Sequence, residues 1–146
     1  MRIFNFILTR AQNVLPGEKL AAARQLVLKN CDFVVDIGAN SGQWIKQVKN
    51  FGYKGAALCI EPIKNNYVEL RAGNFHNTVI LNCAVGNKNG HIDINLASNN
   101  GLSSSILEFG RYHRTAAPKI KYVGKEKVKM IKLSKILEKN KQKIYL

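Results

Sequence analysis

Phe33-Val34-Val35-Asp36-Ile37-Gly38-Ala39-Asn40-Ser41-Gly42 is the stretch on which the fold turns. Five residues, four of them apolar, run without a break into a glycine-bounded turn. An almost wholly apolar run of this kind is the signature of a buried strand in a parallel sheet. Beyond the turn, Trp44, Ile45 and Val48 recur at helical spacing up to Asn50-Phe51-Gly52, so the unit reads strand, tight turn, helix.

The pattern repeats outward. Ala56 to Ile60 is a second buried strand ending in Glu61-Pro62, followed by a helix with Tyr67, Val68 and Leu70 on its apolar side and a stop at Ala72-Gly73-Asn74. Thr78 to Cys83 is the third strand. Upstream, Leu20 to Leu28 reads as an amphipathic helix starting near Pro16-Gly17-Glu18. Strand and helix in alternation imply an α/β domain, a parallel sheet with helices on both faces. The rhythm then changes. Ile92, Ile94 and Leu96 alternate with polar residues as in a half-exposed strand, and Val128, Met130, Ile131 and Leu133 suggest its partner in a hairpin. Between them, Ala97 to Tyr122 is irregular, which in a compact domain marks a functional or disordered loop. Ser134 to Asn140 reads as a short helix, and Lys143 to Leu146 as the start of another strand.

The chemistry is expected at the carboxyl ends of the first two strands. Turn and helix-start amides there can approach a ligand closely, and Gly38 and Gly42 carry no side chain to block it. Asn40 tolerates a left-handed backbone without being glycine. Glu61 can accept hydrogen bonds from a ribose diol, and Asp36 adds a carboxylate suited to a cationic ligand. The dinucleotide fingerprint fails, because Asn40 and Gln43 stand where it needs glycines and Asp36 would repel a pyrophosphate. A positively charged nucleoside without phosphates fits, and S-adenosylmethionine answers that description.

With these residues in place, the sequence resembles the FkbM-type S-adenosylmethionine-dependent methyltransferases. The matching pieces are Val34 to Gly42, Ile60-Glu61-Pro62, Cys83-Ala84-Val85-Gly86-Asn87 and Asn100-Gly101-Leu102-Ser103-Ser104-Ser105, in the family's order from about residue 18 onward. The resemblance implies a Rossmann-like, doubly wound parallel sheet of the S-adenosylmethionine methyltransferase type, with a β-hairpin insertion. It implies that Asp36, Gly38, Asn40 and Gly42 surround the methionine and ribose portions of the cofactor. It puts Glu61 on the ribose hydroxyls and Asn82, Cys83 and Ala84 near the adenine. Ser103, Ser104 and Ser105 are expected over the cofactor, lining the place of the methyl acceptor. The implied reaction is O-methylation of a sugar or natural-product hydroxyl, so the expected partner is a small-molecule or glycan acceptor.

Family members continue past the position of Leu146 into a further acidic segment and more strands. Residues 1–17 are therefore read as an extension and 18–146 as a partial domain, the N-terminal half of the sheet with its hairpin. Such a half leaves one sheet edge unpaired and open to a partner chain. Where the family usually has Leu-Asp, this chain has Leu133-Ser134. No catalytic base is nominated, since His76, His91 and His113 fall in no family motif. An inactive cofactor-binding remnant is the alternative.

Composition narrows the rest. The 146 residues, 46% hydrophobic, suffice for one domain with a core. No apolar run approaches the roughly 18–20 residues of a membrane span. Cys31, Cys59 and Cys83 are odd in number and widely spaced, so no disulfide framework or metal pattern is visible, and a reduced cytoplasmic setting is expected. The net charge is +14, of which residues 111–146 carry +10 from 12 basic and 2 acidic residues. A basic RNA-associated protein is a third reading, but lysines outnumber arginines 17 to 6 and no aromatic ladder accompanies them, so nucleic acid is not the expected partner.

Overall fold

A computed structural model of the chain describes residues 31–101, 104–107, 115 and 118–144. The helix expected at Leu20–Leu28 lies outside them. In order the elements are β1 (Phe33–Ile37), α1 (Gln43–Asn50), β2 (Ala56–Ile60), α2 (Lys64–Ala72), β3 (Thr78–Leu81), β4 (Ala84–Gly86), β5 (Gly90–Ala97), β6 (Tyr122–Lys132) and α3 (Leu133–Ile144). The described residues form a mixed α/β structure with two three-stranded sheets.

The first sheet is parallel, in the order β1-β2-β3, with Asp36 beside Cys59 and Ile37 beside Ile60. All five residues of β2 are buried because it is the central strand, and its alternation shares them between two cores. Ala57 and Cys59 pack with Ile45 and Val48 of α1 and Leu70 of α2. Leu58 and Ile60 face the other way, into a cluster with Cys83 and Ile136 of α3. Helices thus cover both faces of the sheet. On its β1 edge, no further strand pairs among the described residues.

The second sheet has the order β4-β6-β5. The expected hairpin is present: β5 and β6 pair antiparallel from Gly90↔Met130 to Ala97↔Tyr122, with an irregularity between Leu96 and Ala97. Ile92, Ile94, Val128 and Met130 share the buried face, as their alternation requires. The hairpin also completes the first unit. Helix α2 has no side-chain cap of its own, and Glu126 of β6 supplies one, accepting the Lys64 N–H at 3.0 Å. A carboxylate there complements the positive end of the helix.

Three local expectations are corrected. The third strand stops at Leu81 rather than Cys83, because the Asn82 side-chain amide donates to the carbonyls of Glu61 and Pro62, both at 2.9 Å, and turns the chain. Val68 faces solvent, and α2 buries Asn66 beside the expected Leu70. The helix read over Ser134–Asn140 extends from Leu133 to Ile144, so Lys143 and Ile144 belong to it and do not open a strand. Its Lys- and Gln-rich last turn favours helix over the β-preference of a lone isoleucine; Tyr145 and Leu146 lie outside the described residues.

Truncating Leu58, fully buried between β2 and α3, is expected to cost about 2–5 kcal/mol in Leu58→Ala. Val68→Ala, on the exposed face of α2, should change stability by less than about 0.5 kcal/mol. Urea unfolding of both variants beside the parent chain measures the difference.

Candidate functional site

At the carboxyl end of β1 the chain reverses through Gly38, whose φ of 77° suits glycine, and Asn40, at φ 50°. The N–H groups of Gly38 and Ala39 both donate to the Ile60 carbonyl, at 2.8 and 3.1 Å, which fastens the turn to the end of β2. A Cβ built on Gly38 would meet nothing within 4 Å, so this backbone is open to approach. Gly42 differs. A Cβ there would stand 2.8 Å from Leu70 Cδ1 and 3.0 Å from the Phe75 ring, so its bare backbone admits α2 and Phe75.

Asn40 organises the turn with both ends of its amide. Its Oδ1 accepts the Ser41 N–H at 2.8 Å and Gln43 Nε2 at 3.0 Å, and its Nδ2 donates to the Asn100 carbonyl at 3.1 Å. The last bond draws the loop after β5 onto the turn. Gly101 follows at φ 75°, where a Cβ would lie 2.7 Å from Asn66 Nδ2 and 3.2 Å from Ile63. Loop, turn and the start of α2 therefore meet at one place.

Glu61 lies at that meeting point, only 3% exposed. Its Oε2 accepts the Asn40 N–H at 2.8 Å and its Oε1 the Ile63 N–H at 2.9 Å. Burial raises its pKa; the Ile63 and Asn40 N–H groups oppose that rise, as does the nearby Asn66 amide, which completes no well-formed hydrogen bond. Asp36 is the unsatisfied partner. Its Oδ2 is buried without a hydrogen bond, and burial, then the charge of Glu61, raises its pKa to about 6. Two carboxyls at the ends of adjacent parallel strands, one of them lacking donors, make a site receptive to a cation or to a ligand rich in donors.

The other expected residues are placed as follows. Asn82 holds the chain onto Glu61 and Pro62, while Cys83 and Ala84 are buried, each in a different apolar cluster. Ser104 Oγ accepts the Ala97 N–H at 2.9 Å and Ser105 Oγ the Leu107 N–H at 3.0 Å, so these hydroxyls shape their own loop and keep an O–H to donate. Ser103 lies outside the described residues. His76 and His91 are exposed, and His113 is not described. Cys59 is fully buried, with its thiol pushed up to about 12 by burial and then by Asp36, so it stays neutral. Among the described residues no group of three or more His, Cys, Asp or Glu could hold a metal ion, and no helix is long and apolar enough to cross a membrane.

Sequence reasoning missed Asn66 and the backbone of Asn100. Asn66 had a signal, since Ile63, Asn66 and Leu70 recur at helical spacing as the buried side of α2. The Asn40–Asn100 bond spans sixty positions and has no local signature.

In α/β proteins the carboxyl ends of parallel strands, where this acid-lined glycine turn lies, are where ligands bind. Comparison with family models agrees: residues 36–146 match the methyltransferase FkbM domain, and the chain belongs to that family. It is thus a methyltransferase by family. No curated protein and no solved structure gives a match.

Asp36 yields a prediction of definite sign. Its folded-state pKa of about 6 lies above the ordinary 3.8. Between those values the folded chain holds a proton that the unfolded chain has lost, so this group's contribution to stability falls as pH rises through that window. Asp36→Asn removes the penalty. The variant is expected to be more stable than the parent at pH 8, by on the order of 1–3 kcal/mol, with the gap closing towards about pH 4. Thermal melts across the range test this.

Proposed function

We propose that the turn and its two carboxyls bind S-adenosylmethionine, and that the chain is a methyltransferase acting on a hydroxyl of a sugar or natural product. The observation that carries the reading is the unpartnered, buried Asp36 oxygen beside Glu61 at the Gly38 turn, in a chain of the FkbM family. The residues suit the cofactor. Asp36 offers a carboxylate to the cationic methionine end, and Gly38 leaves backbone open on that side. Glu61 spends one lone pair of each oxygen on backbone N–H groups and retains acceptor capacity for the ribose diol. Because Glu61 is almost wholly buried, the diol reaches it when Asn100 releases Asn40. Asn82, Cys83 and Ala84 frame the adenine through their backbone, since Cys83 and Ala84 turn their side chains into the core.

Bound there, the cofactor would supply a methyl group on a sulfonium, an electrophile needing no metal. The protein's own task is to hold an acceptor oxygen in line with that methyl and exclude water. The O–H groups of Ser104 and Ser105, on the loop drawn over the turn, are the proposed acceptor contacts, with Ser103 between them and Gly101. We assign the methyltransferase domain to the chain from residue 18 onward and place the protein in the cytoplasm, where its free Cys31, Cys59 and Cys83 stay reduced.

Calorimetric titration with S-adenosylmethionine is the test. Asp36→Ala and Glu61→Ala should each weaken binding by about 1–3 kcal/mol, the scale of a lost charge-assisted hydrogen bond. Parent-like affinity in both folded variants would sink the reading. Binding without transfer to any of a panel of hydroxyl acceptors would define a cofactor-binding remnant instead of an enzyme.

A further inference from the structure

The methyl-transfer reading makes no use of the basic C-terminal quarter or of the apolar residues exposed at one end of the hairpin. Six large hydrophobic side chains are exposed among the described residues, and three of them, Ile106 (52%), Leu107 (70%) and Val123 (69%), belong to this end. The fold brings them together from distant positions. Ser105 bridges to Asn95 of β5, and the Tyr122 hydroxyl donates to the Leu107 carbonyl at 2.7 Å, so 106–107 leaves the sheet beside the first residues of β6. The Ser98 N–H donates to the Lys121 carbonyl at 2.9 Å and closes the same end from the other side.

Cations surround these residues. From Lys119 to Lys125 the sequence runs Lys-Ile-Lys-Tyr-Val-Gly-Lys without an acid, and all three lysines are exposed. Along β6, Val123, Lys125, Lys127 and Lys129 occupy alternate positions on the solvent face, opposite the one that buries Val128 and Met130. Glu126 points to the other side and accepts the Lys64 N–H; on the solvent face the exposed Asp93 of β5 stands opposite Lys127, which leaves Lys119, Lys121 and Lys125 at the end of the hairpin as the cations of the patch.

We propose that this end of the hairpin docks on a bilayer rich in anionic lipid, with Ile106, Leu107 and Val123 entering the interface and Lys119, Lys121 and Lys125 meeting acidic headgroups. The pairing of aliphatic tips with flanking lysines selects this occupant. Burial of exposed aliphatic surface and attraction to anionic lipid add together at a membrane interface. Lysine stems lie along apolar surface while their ammonium groups stay in the headgroup layer. A nucleic-acid strand would instead call for arginine forks or stacked aromatic rings, and the described residues of the patch include no arginine and one tyrosine, whose hydroxyl donates to the Leu107 carbonyl. The association is peripheral and reversible. Asn100, held against Asn40, lies three residues beyond the end of β5, so docking also brings the nucleoside turn near the bilayer.

The test is co-sedimentation of the full chain with vesicles of phosphatidylcholine alone or with roughly 30% phosphatidylglycerol added. Binding is expected to the acidic vesicles only, and to fall as salt is raised towards about 0.5 M. Leu107→Asp and Val123→Asp should each reduce the bound fraction about 5-fold or more, and the double variant Lys121→Glu/Lys125→Glu about 10-fold or more. Val68→Asp, at another exposed valine, on α2 (56%), should bind like the parent. Thermal melts confirm that each variant is folded, and Ile106→Asp replaces any that is not. The proposal is overturned by equal binding to both vesicles, by no binding, by full retention in the Leu107 and Val123 variants, or by equal loss in Val68→Asp. Preference for single-stranded RNA or for an acidic polypeptide over the vesicles overturns it as well.

Discussion

One buried carboxylate holds the three parts of the site in register. Glu61 takes the Asn40 N–H from the turn after β1 and the Ile63 N–H from the start of α2, while its own N–H donates to the Leu81 carbonyl of β3. Three successive strand ends are thereby referred to one residue. Neither N–H has another partner in regular structure, because both sit where the chain leaves strand geometry before entering a helix. A carboxylate supplies two acceptors in one plane, and hydrogen bonds to a charged group are stronger than neutral ones. An apolar residue at this position would strand both donors.

That arrangement explains why Asp36 is left unpaired. The turn's amides are used elsewhere: Gly38 and Ala39 on Ile60, Asn40 on Glu61, Ser41 on the Asn40 side chain. Asp36 thus sits half-buried at a strand end in the field of Glu61, with its Oδ2 buried and without a hydrogen bond. In a purely structural protein an amide or an aliphatic side chain would serve better at such a point. A locally unfavourable carboxylate in a concentrated cluster of backbone polar groups is the usual physical mark of a site shaped for a ligand.

Much of this was legible in the sequence, and the parts that were not share a cause. The strands at Phe33–Ile37 and Ala56–Ile60 declared themselves through apolar runs interrupted only by Asp36, although β1, at the sheet edge, buries Val34 alone and exposes Ile37; the hairpin declared itself through alternation at Ile92, Ile94, Val128 and Met130. The turn was readable because glycine and asparagine at fixed places report backbone conformation directly. Leu70 was read correctly, but Val68 misled because α2 is short and carries an extra apolar residue, while the buried Asn66 that completes the line with Ile63 and Leu70 is polar. The early end of β3 depends on where the Asn82 side chain finds its acceptors. Tertiary contacts of this kind leave no periodic trace.

The hairpin joins these two levels. Its inner face is governed by the core: Ile94, Val128 and Met130 fix its register, and Glu126 reaches from it to cap α2. Its outer face, apart from the buried Asn95, is exposed along β6 at Val123, Lys125, Lys127 and Lys129, so the composition there is less bound by packing. Solubility alone would be served by mixed charge, and acidic residues serve it better than lysines. Solvation does not explain a row of lysines interrupted by a bare valine, next to an exposed isoleucine and leucine. Each exposed aliphatic group is a liability in water, and their concentration at the one end of the hairpin that also touches the glycine turn ties surface composition to the site through a single two-stranded element.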